Sequence, residues 1–174
     1  MKVRQVERWV EPSHFRQDQN LPFGRISVYS SGKGGWLHSQ QGVSMALPPA
    51  VLKQVQEELF RNHFRLYLSD LDGARAVAAL ARDRVEISDK QGNLVRITMD
   101  TATGLPVVLS YHAAQTGGPG LPVEERIEEW KDINGLKIPW RITIAQAGEV
   151  YAELRVQDFR WNTGLNAADL ARVE

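Results

Sequence analysis

Three groups of residues carry enough chemistry to be weighed first. Ser31-Gly32-Lys33-Gly34-Gly35 starts like a phosphate-binding loop, in which backbone N–H groups cradle phosphates and a lysine neutralises them. That loop needs G-x-x-x-x-G-K-S/T between a strand and a helix. Counted from Gly32, the positions due for Gly and Lys hold Leu37 and His38, and a strand follows, so the segment reads as a hairpin turn. The histidines His14, His38, His63 and His112 lie far apart, with no pair at i, i+2 or i, i+4 to set two metal ligands on one element. A zinc site would have to be assembled from separate strands. None of the four has a serine or carboxylate companion in sequence that would make a triad, and His63 reads as a packing residue between helix and sheet with a polar tip.

Glu124-Glu125 and Glu128-Glu129 are the carboxylate pairs that acid–base work or cation binding would use. On a strand, Glu125 and Glu129 share a face with Ile127 while Glu124 and Glu128 share the other. Pairing across strands with Arg and Lys is the simpler reading, and exposed pairs of that kind contribute only about 0 to 1 kcal/mol each. Trp9, Trp36, Trp130, Trp140 and Trp161 either anchor a core or line an apolar pocket. Core packing is the default, since each aromatic ring buries about 150 to 250 Å². With no catalytic constellation in view, the chain reads as a non-enzyme that needs no cofactor and no metal.

The chain has 174 residues, ordinary for one domain, and a domain of that length buries about 68 to 70% of its unfolded surface. Twenty-one basic and twenty-one acidic residues are interspersed, so no field draws a polyanion and nucleic acid is excluded as an expected partner. Cysteine is absent, which removes disulfides, thiolate nucleophiles and Cys-ligated zinc. No run nears the roughly 18 apolar residues of a membrane span, and Met1-Lys2-Val3-Arg4-Gln5 lacks the apolar stretch of a signal peptide. Because a strand follows Met1 almost at once, the expectation is an excised domain whose targeting information lay upstream.

The elements that would position these residues are mostly strands. Val3 to Glu11, Gly24 to Tyr29 and Gly35 to Ser39 read as strands, separated by Glu11-Pro12-Ser13, Asn20-Leu21-Pro22 and Ser31-Gly32-Lys33-Gly34-Gly35. Pro48-Pro49 opens a helix running to about Leu68, with Leu52, Val55, Leu59, His63 and Leu66 on one face. Ala74 to Arg82 reads as a second short helix capped by Asp72. From Arg84 the period becomes two: Val95, Ile97 and Met99 share a face, as do Leu105, Val107, Leu109 and Tyr111, then Leu136, Ile138, Trp140, Ile142 and Ile144, then Val150, Ala152, Leu154 and Val156. Polar opposite faces mark an antiparallel sheet wet on one side. Asn134-Gly135 signals a type I′ hairpin, and Thr116-Gly117-Gly118-Pro119-Gly120 a loop. The fold class is α+β: one domain over 1–174, a curved antiparallel sheet forming an incomplete barrel, with the helical insertion of residues 48–82 packed in its concavity.

Several phrases in this order resemble a known family. "WL" in a hairpin, a helix, then D-x-x-T-G-L-P from Asp100, E-x-W-K-D-I-N-G-L-K-I-P-W-x-I from Glu128 and a closing F-x-W-N-x-G-L from Phe159 are similar to the lipoprotein carrier (LolA-like) superfamily of incomplete β-barrels. The version most resembled is the carboxy-terminal module of bacterial insulinase-type zinc peptidases and its stand-alone extracytoplasmic relatives. The likeness is strongest from Arg96 to Leu165 and weak before Gly24, and its motifs are structural turns. The resemblance implies a half-barrel around helices, an apolar concavity that in the carriers holds acyl chains, and a periplasmic or extracytoplasmic setting. The peptidases' H-x-x-E-H zinc helix is absent here, so no hydrolytic activity carries over.

The expected function is therefore a binding module for a hydrophobic ligand such as a lipid or a lipoprotein acyl chain. Its wall is assigned to Leu105, Val107, Leu109, Ile138, Trp140, Ile142, Leu154 and Val156 on the sheet, with Leu59 and Leu66 from the helix. The alternative is an accessory domain of a larger extracytoplasmic protein, a peptidase relative, that works through its outer face beside other domains of a parent polypeptide and holds no ligand.

Overall fold

A computed structural model describes residues 1–115 and 118–172. The chain runs β1 (Arg4–Val10), β2 (His14–Leu21), β3 (Gly24–Ser30), β4 (Gly35–His38), β5 (Ser44–Ala46), α1 (Pro49–Arg61) and α2 (His63–Tyr67). A single 3₁₀ turn (Ser69–Leu71) leads to β6 (Arg75–Ala81), β7 (Arg84–Asp89), β8 (Leu94–Met99), β9 (Pro106–Gln115), β10 (Gly118–Ile133), β11 (Leu136–Gln146), β12 (Glu149–Arg155) and α3 (Ala167–Ala171). It forms two compact units, Met1–Leu59 with Trp161–Glu174, and Phe60–Arg160. Each unit holds one antiparallel sheet whose strands follow chain order: five strands, β1 to β5, and seven strands, β6 to β12.

In the first unit β2 is buried on both faces. Phe15 packs with Val55 and Leu59 of α1, with Trp9 and Val28 alongside. Arg16 and Asp18 face the other way, where the Arg16 guanidinium donates 2.7 Å to the Arg172 carbonyl and Trp36 Nε1 donates 2.9 Å to the Ala171 carbonyl. Those two carbonyls end α3, which opens on a capping box between Asn166 and Asp169. Asp18 accepts from Ser27 at 2.6 Å and from Arg8, Arg16 and Arg25 at 2.5 to 3.2 Å. Burial alone would raise the Asp18 pKa, but the Ser27 hydroxyl and then the three guanidinium groups overcome it and hold the carboxyl far below its usual range.

The second unit grows from a core of Phe60, Leu66, Ile87, Val95, Ile97, Leu109, Ile127 and Ile142. The sheet residues alternate along their strands at period two, as read from the sequence, and Asn134-Gly135 sit at φ 53° and 85° in the β10–β11 turn, where glycine meets no steric cost. β10 is long because register shifts near Glu129 let it bend while pairing with both β9 and β11.

Several expectations need correction. Antiparallel β-structure dominates, but as two sheets rather than one curved sheet, and among the described residues no sheet closes into a barrel. The single helix to Leu68 breaks at Asn62, whose side chain accepts from the Phe64 and Arg65 amides and starts α2 anew. Ala74 to Arg82 is not a helix: β6 pairs with β7, because ladder bonds across a tight hairpin outweigh the helical preference of alanine, which is a fraction of a kcal/mol per residue. Asp72 starts no helix; it ends the 3₁₀ turn, accepts from the Ala74 amide and pairs with Arg75. β2 has no counterpart in the sequence reading, since a buried strand carrying Arg16 and Asp18 looks polar. Of the loop at Thr116 to Gly120, Thr116 and Gly117 lie outside the described residues, and Gly118 to Gly120 open β10.

Replacing Asp18 with Asn leaves three arginines around a neutral amide. The variant is predicted to lose about 3 to 5 kcal/mol, read from urea unfolding at pH 7; a loss below about 1 kcal/mol would mean that the cluster is solvated and contributes little.

Candidate functional site

The seven-stranded sheet presents a wide apolar face, and α2 is a helix of five residues. Where the helix and the 3₁₀ turn stop short, a cavity of about 300 Å³ opens over β6 to β9. Val85 and Ile87 on β7 and Ile97 and Met99 on β8 form its floor, and Val77 of β6 and Pro106 of β9 close its sides. Leu66 and Tyr67 of α2, with Ser69 and Asp70 of the turn, form the remaining wall. Its volume lies at the low end of the roughly 300 to 1,000 Å³ typical of small-molecule sites.

Behind this wall stands a polar cluster. Glu125 occupies a core-facing position of β10 between Val123 and Ile127, opposite Leu109 of β9. Tyr111 donates to its carboxylate at 2.7 Å. His63 Nε2 lies 3.7 Å from the other carboxylate oxygen, too far for a hydrogen bond, while His63 Nδ1 meets the Tyr67 hydroxyl at 3.1 Å. The Arg61 guanidinium stacks 4.1 Å over the Tyr111 ring. Burial would raise the Glu125 pKa; the His63 imidazole, the Tyr111 hydroxyl and the Arg61 charge together hold it below its ordinary value. Burial first, and then the neighbouring Glu125 carboxylate, push the Tyr67 hydroxyl well above its usual range. Tyr67 thus serves two sites at once, its ring in the cavity wall and its hydroxyl in the cluster.

His63 therefore has a carboxylate companion, 62 residues away in the chain, that spacing could not reveal. The other glutamates follow the simpler reading of charge pairing: Glu128 meets Arg141 on the next strand at 3.2 Å, and Glu124 and Glu129 meet Arg126 and Lys131 on their own strand. His14 and His38 contact Tyr29 and Ser44 respectively. Ser31 to Gly35 close the β3–β4 hairpin, with the Ser31 amide on the Gly34 carbonyl at 2.8 Å. Among the described residues no three His, Asp or Glu side chains gather as a metal site requires. Among the described residues no helix is long and apolar enough to cross a membrane.

Of the residues assigned to the ligand wall, Leu66 lines the cavity. Leu109 and Ile142 lie in the same core cluster as Leu66, and Ile138 is buried. Leu105, Val107, Trp140 and Val156 are half-buried, with Lys131 4.2 Å over the Trp140 ring. Leu154 is 43% exposed, and Leu59 packs with Phe15 and Val55 in the first unit. The floor residues Ile97 and Met99 carried a legible signal, their shared strand face, whereas Val77 was hidden by the helical reading of its segment. Trp161 is 43% exposed and Trp36 donates to α3, so the five tryptophans do not act as one set.

A smaller polar cavity of about 160 Å³ in the first unit is lined by Arg16, Arg25, Trp36, His38 and their neighbours beside the Asp18 cluster. The chain matches no protein-family model, no curated protein and no solved structure.

Because the Glu125 pKa is lowered on folding, its contribution to stability is complete above the ordinary value of 4.5 and is lost as pH falls through the folded value. Glu125→Gln is predicted to unfold about 1 to 3 kcal/mol more easily at pH 7 and to lose stability less steeply than wild type below pH 4.5. Parallel urea curves from pH 3 to 7 for the two proteins check this; identical acid slopes would contradict it.

Proposed function

We propose that this chain is a non-enzymatic binding module that holds a hydrophobic ligand, such as a lipid or lipoprotein acyl chain, against the apolar face of its seven-stranded sheet. The observation that carries the proposal is the cavity of about 300 Å³, floored by Val85, Ile87, Ile97 and Met99 and open at one side. An apolar floor favours an alkyl group at about 25 cal/mol per Å² removed from water. The reading adds the sheet's half-barrel character, with α2 in its concavity, and an extracytoplasmic setting, as the resemblance to lipoprotein carriers implies. It also moves the expected wall: the floor lies on β7 and β8, while Leu105, Val107, Leu109, Ile138, Trp140, Ile142 and Val156 support the sheet around it.

Val85 sits half-buried in the floor, so a larger ring there fills the cavity without opening the core. An environment-sensitive naphthylamine probe is predicted to bind saturably to wild type and at least tenfold more weakly to Val85→Trp, with far-UV circular dichroism unchanged. Equal binding by a folded Val85→Trp, or no saturable binding to wild type, would overturn the proposal.

A further inference from the structure

We infer that the ligand of this cavity is a single-chain amphiphile with a cationic head group, an inference that rests on the binding reading above. A tail in the cavity leaves its head at the open side, and the polar groups there decide which head is accepted. The Tyr67 hydroxyl is engaged by His63, and the Ser69 hydroxyl both donates to the Arg65 carbonyl and accepts from Arg75. Both hydroxyls already have partners inside the protein. Asp70 supplies the one carboxylate of the wall; it is exposed, and it makes no ion pair among the described residues. Among the described residues no Lys, Arg or His lines the cavity.

Arg75 meets the wall at the Ser69 hydroxyl. Its side chain is 4% exposed, pairs with Asp72, and spends its donors on the Phe60 and Arg65 carbonyls and on Ser69, so it is turned away from an arriving anion. Leu68 and Leu71, on either side of Asp70, stand 57% and 77% exposed, and Val77 of the wall is 47% exposed. Exposed aliphatic side chains thus flank this one negative charge along the chain, a collar of Leu68 and Leu71 beside the lining residue Val77. An ammonium head seated there meets Asp70 while its first methylenes lie on the collar. An anionic head of the same length meets like charge and no donor, and an uncharged head gains neither effect.

The test is calorimetric titration, below micelle-forming concentrations at pH 8 and low salt, with three probes sharing one twelve-carbon tail: dodecyltrimethylammonium, uncharged dodecyldimethylamine N-oxide and tridecanoate. Wild type is expected to bind the cation about fivefold tighter than the N-oxide, and tridecanoate about fivefold weaker again, the scale of one exposed charge contact. Asp70→Asn is expected to bring the three within about twofold, and Asp70→Lys to reverse their order; Asp70 is exposed, so both variants fold. Equal binding of all three probes by wild type, or an order unchanged in Asp70→Lys, overturns this inference and leaves the binding module standing. Absence of saturable binding by any probe overturns both.

Discussion

The second unit depends on one buried guanidinium. Arg75, the first residue of β6, reaches back under the helical segment and donates to the carbonyls of Phe60 and Arg65 and to the Ser69 hydroxyl, while Asp72 balances its charge and its plane lies 4.6 Å over the Phe60 ring. The acceptors come from the end of α1, from α2 and from the 3₁₀ turn, so a single side chain fastens three short pieces to the first strand of the sheet. None of those pieces is stable alone: a helix of five residues is far below the length at which helices hold in water. Their position over the sheet is set by tertiary contacts, with Arg75 at one end and the His63–Glu125 contact at the other.

That manner of attachment explains why a cavity exists. A sheet face buries itself well when an element of matching length lies across it. Here the covering helix ends at Tyr67, and the chain then turns through Ser69–Leu71 into the edge strand. Leu66 fills the centre of the face against Ile87, Val95, Ile97 and Leu109. Beside it the cavity opens over Val85, Ile87, Ile97 and Met99. Filling the gap would take a longer α2, and that helix stops at its C-cap Leu68, whose amide turns back to the Leu66 carbonyl. The cost is aliphatic surface left to water at Leu68, Leu71, Val77 and Leu80, all exposed and all beside the turn and β6. A bound alkyl chain would recover part of that cost.

Much of the sheet was legible because period-two alternation and turn residues are local. Asn134-Gly135 needs no tertiary information to mark its hairpin, and the alternation from Leu136 to Ile144 survives in the burial of Ile138 and Ile142. Three features were not legible, each because a long-range contact reversed a local preference. The alanines of β6 favour helix until β7 pairs with them. β2 looks like a polar loop until Asp18 meets Arg8 and Arg25 from the strands on either side. Glu125 looks like a surface carboxylate until His63 and Tyr111 converge on it. The candidate site suffered most, since its wall draws on α2, the 3₁₀ turn and four strands, and only Leu66 among the residues chosen from the sequence belongs to it.

The most direct test of a ligand-binding face is the location of a bound alkyl chain. Amide and methyl chemical shifts of isotopically labelled protein, followed during titration with dodecyltrimethylammonium, report that location residue by residue. The account predicts saturable shifts concentrated at Leu66, Val77, Val85, Ile87, Ile97 and Met99, with Asp70 at their edge and the first unit unmoved. Shifts scattered over both units, or centred away from β6 to β8, would contradict it.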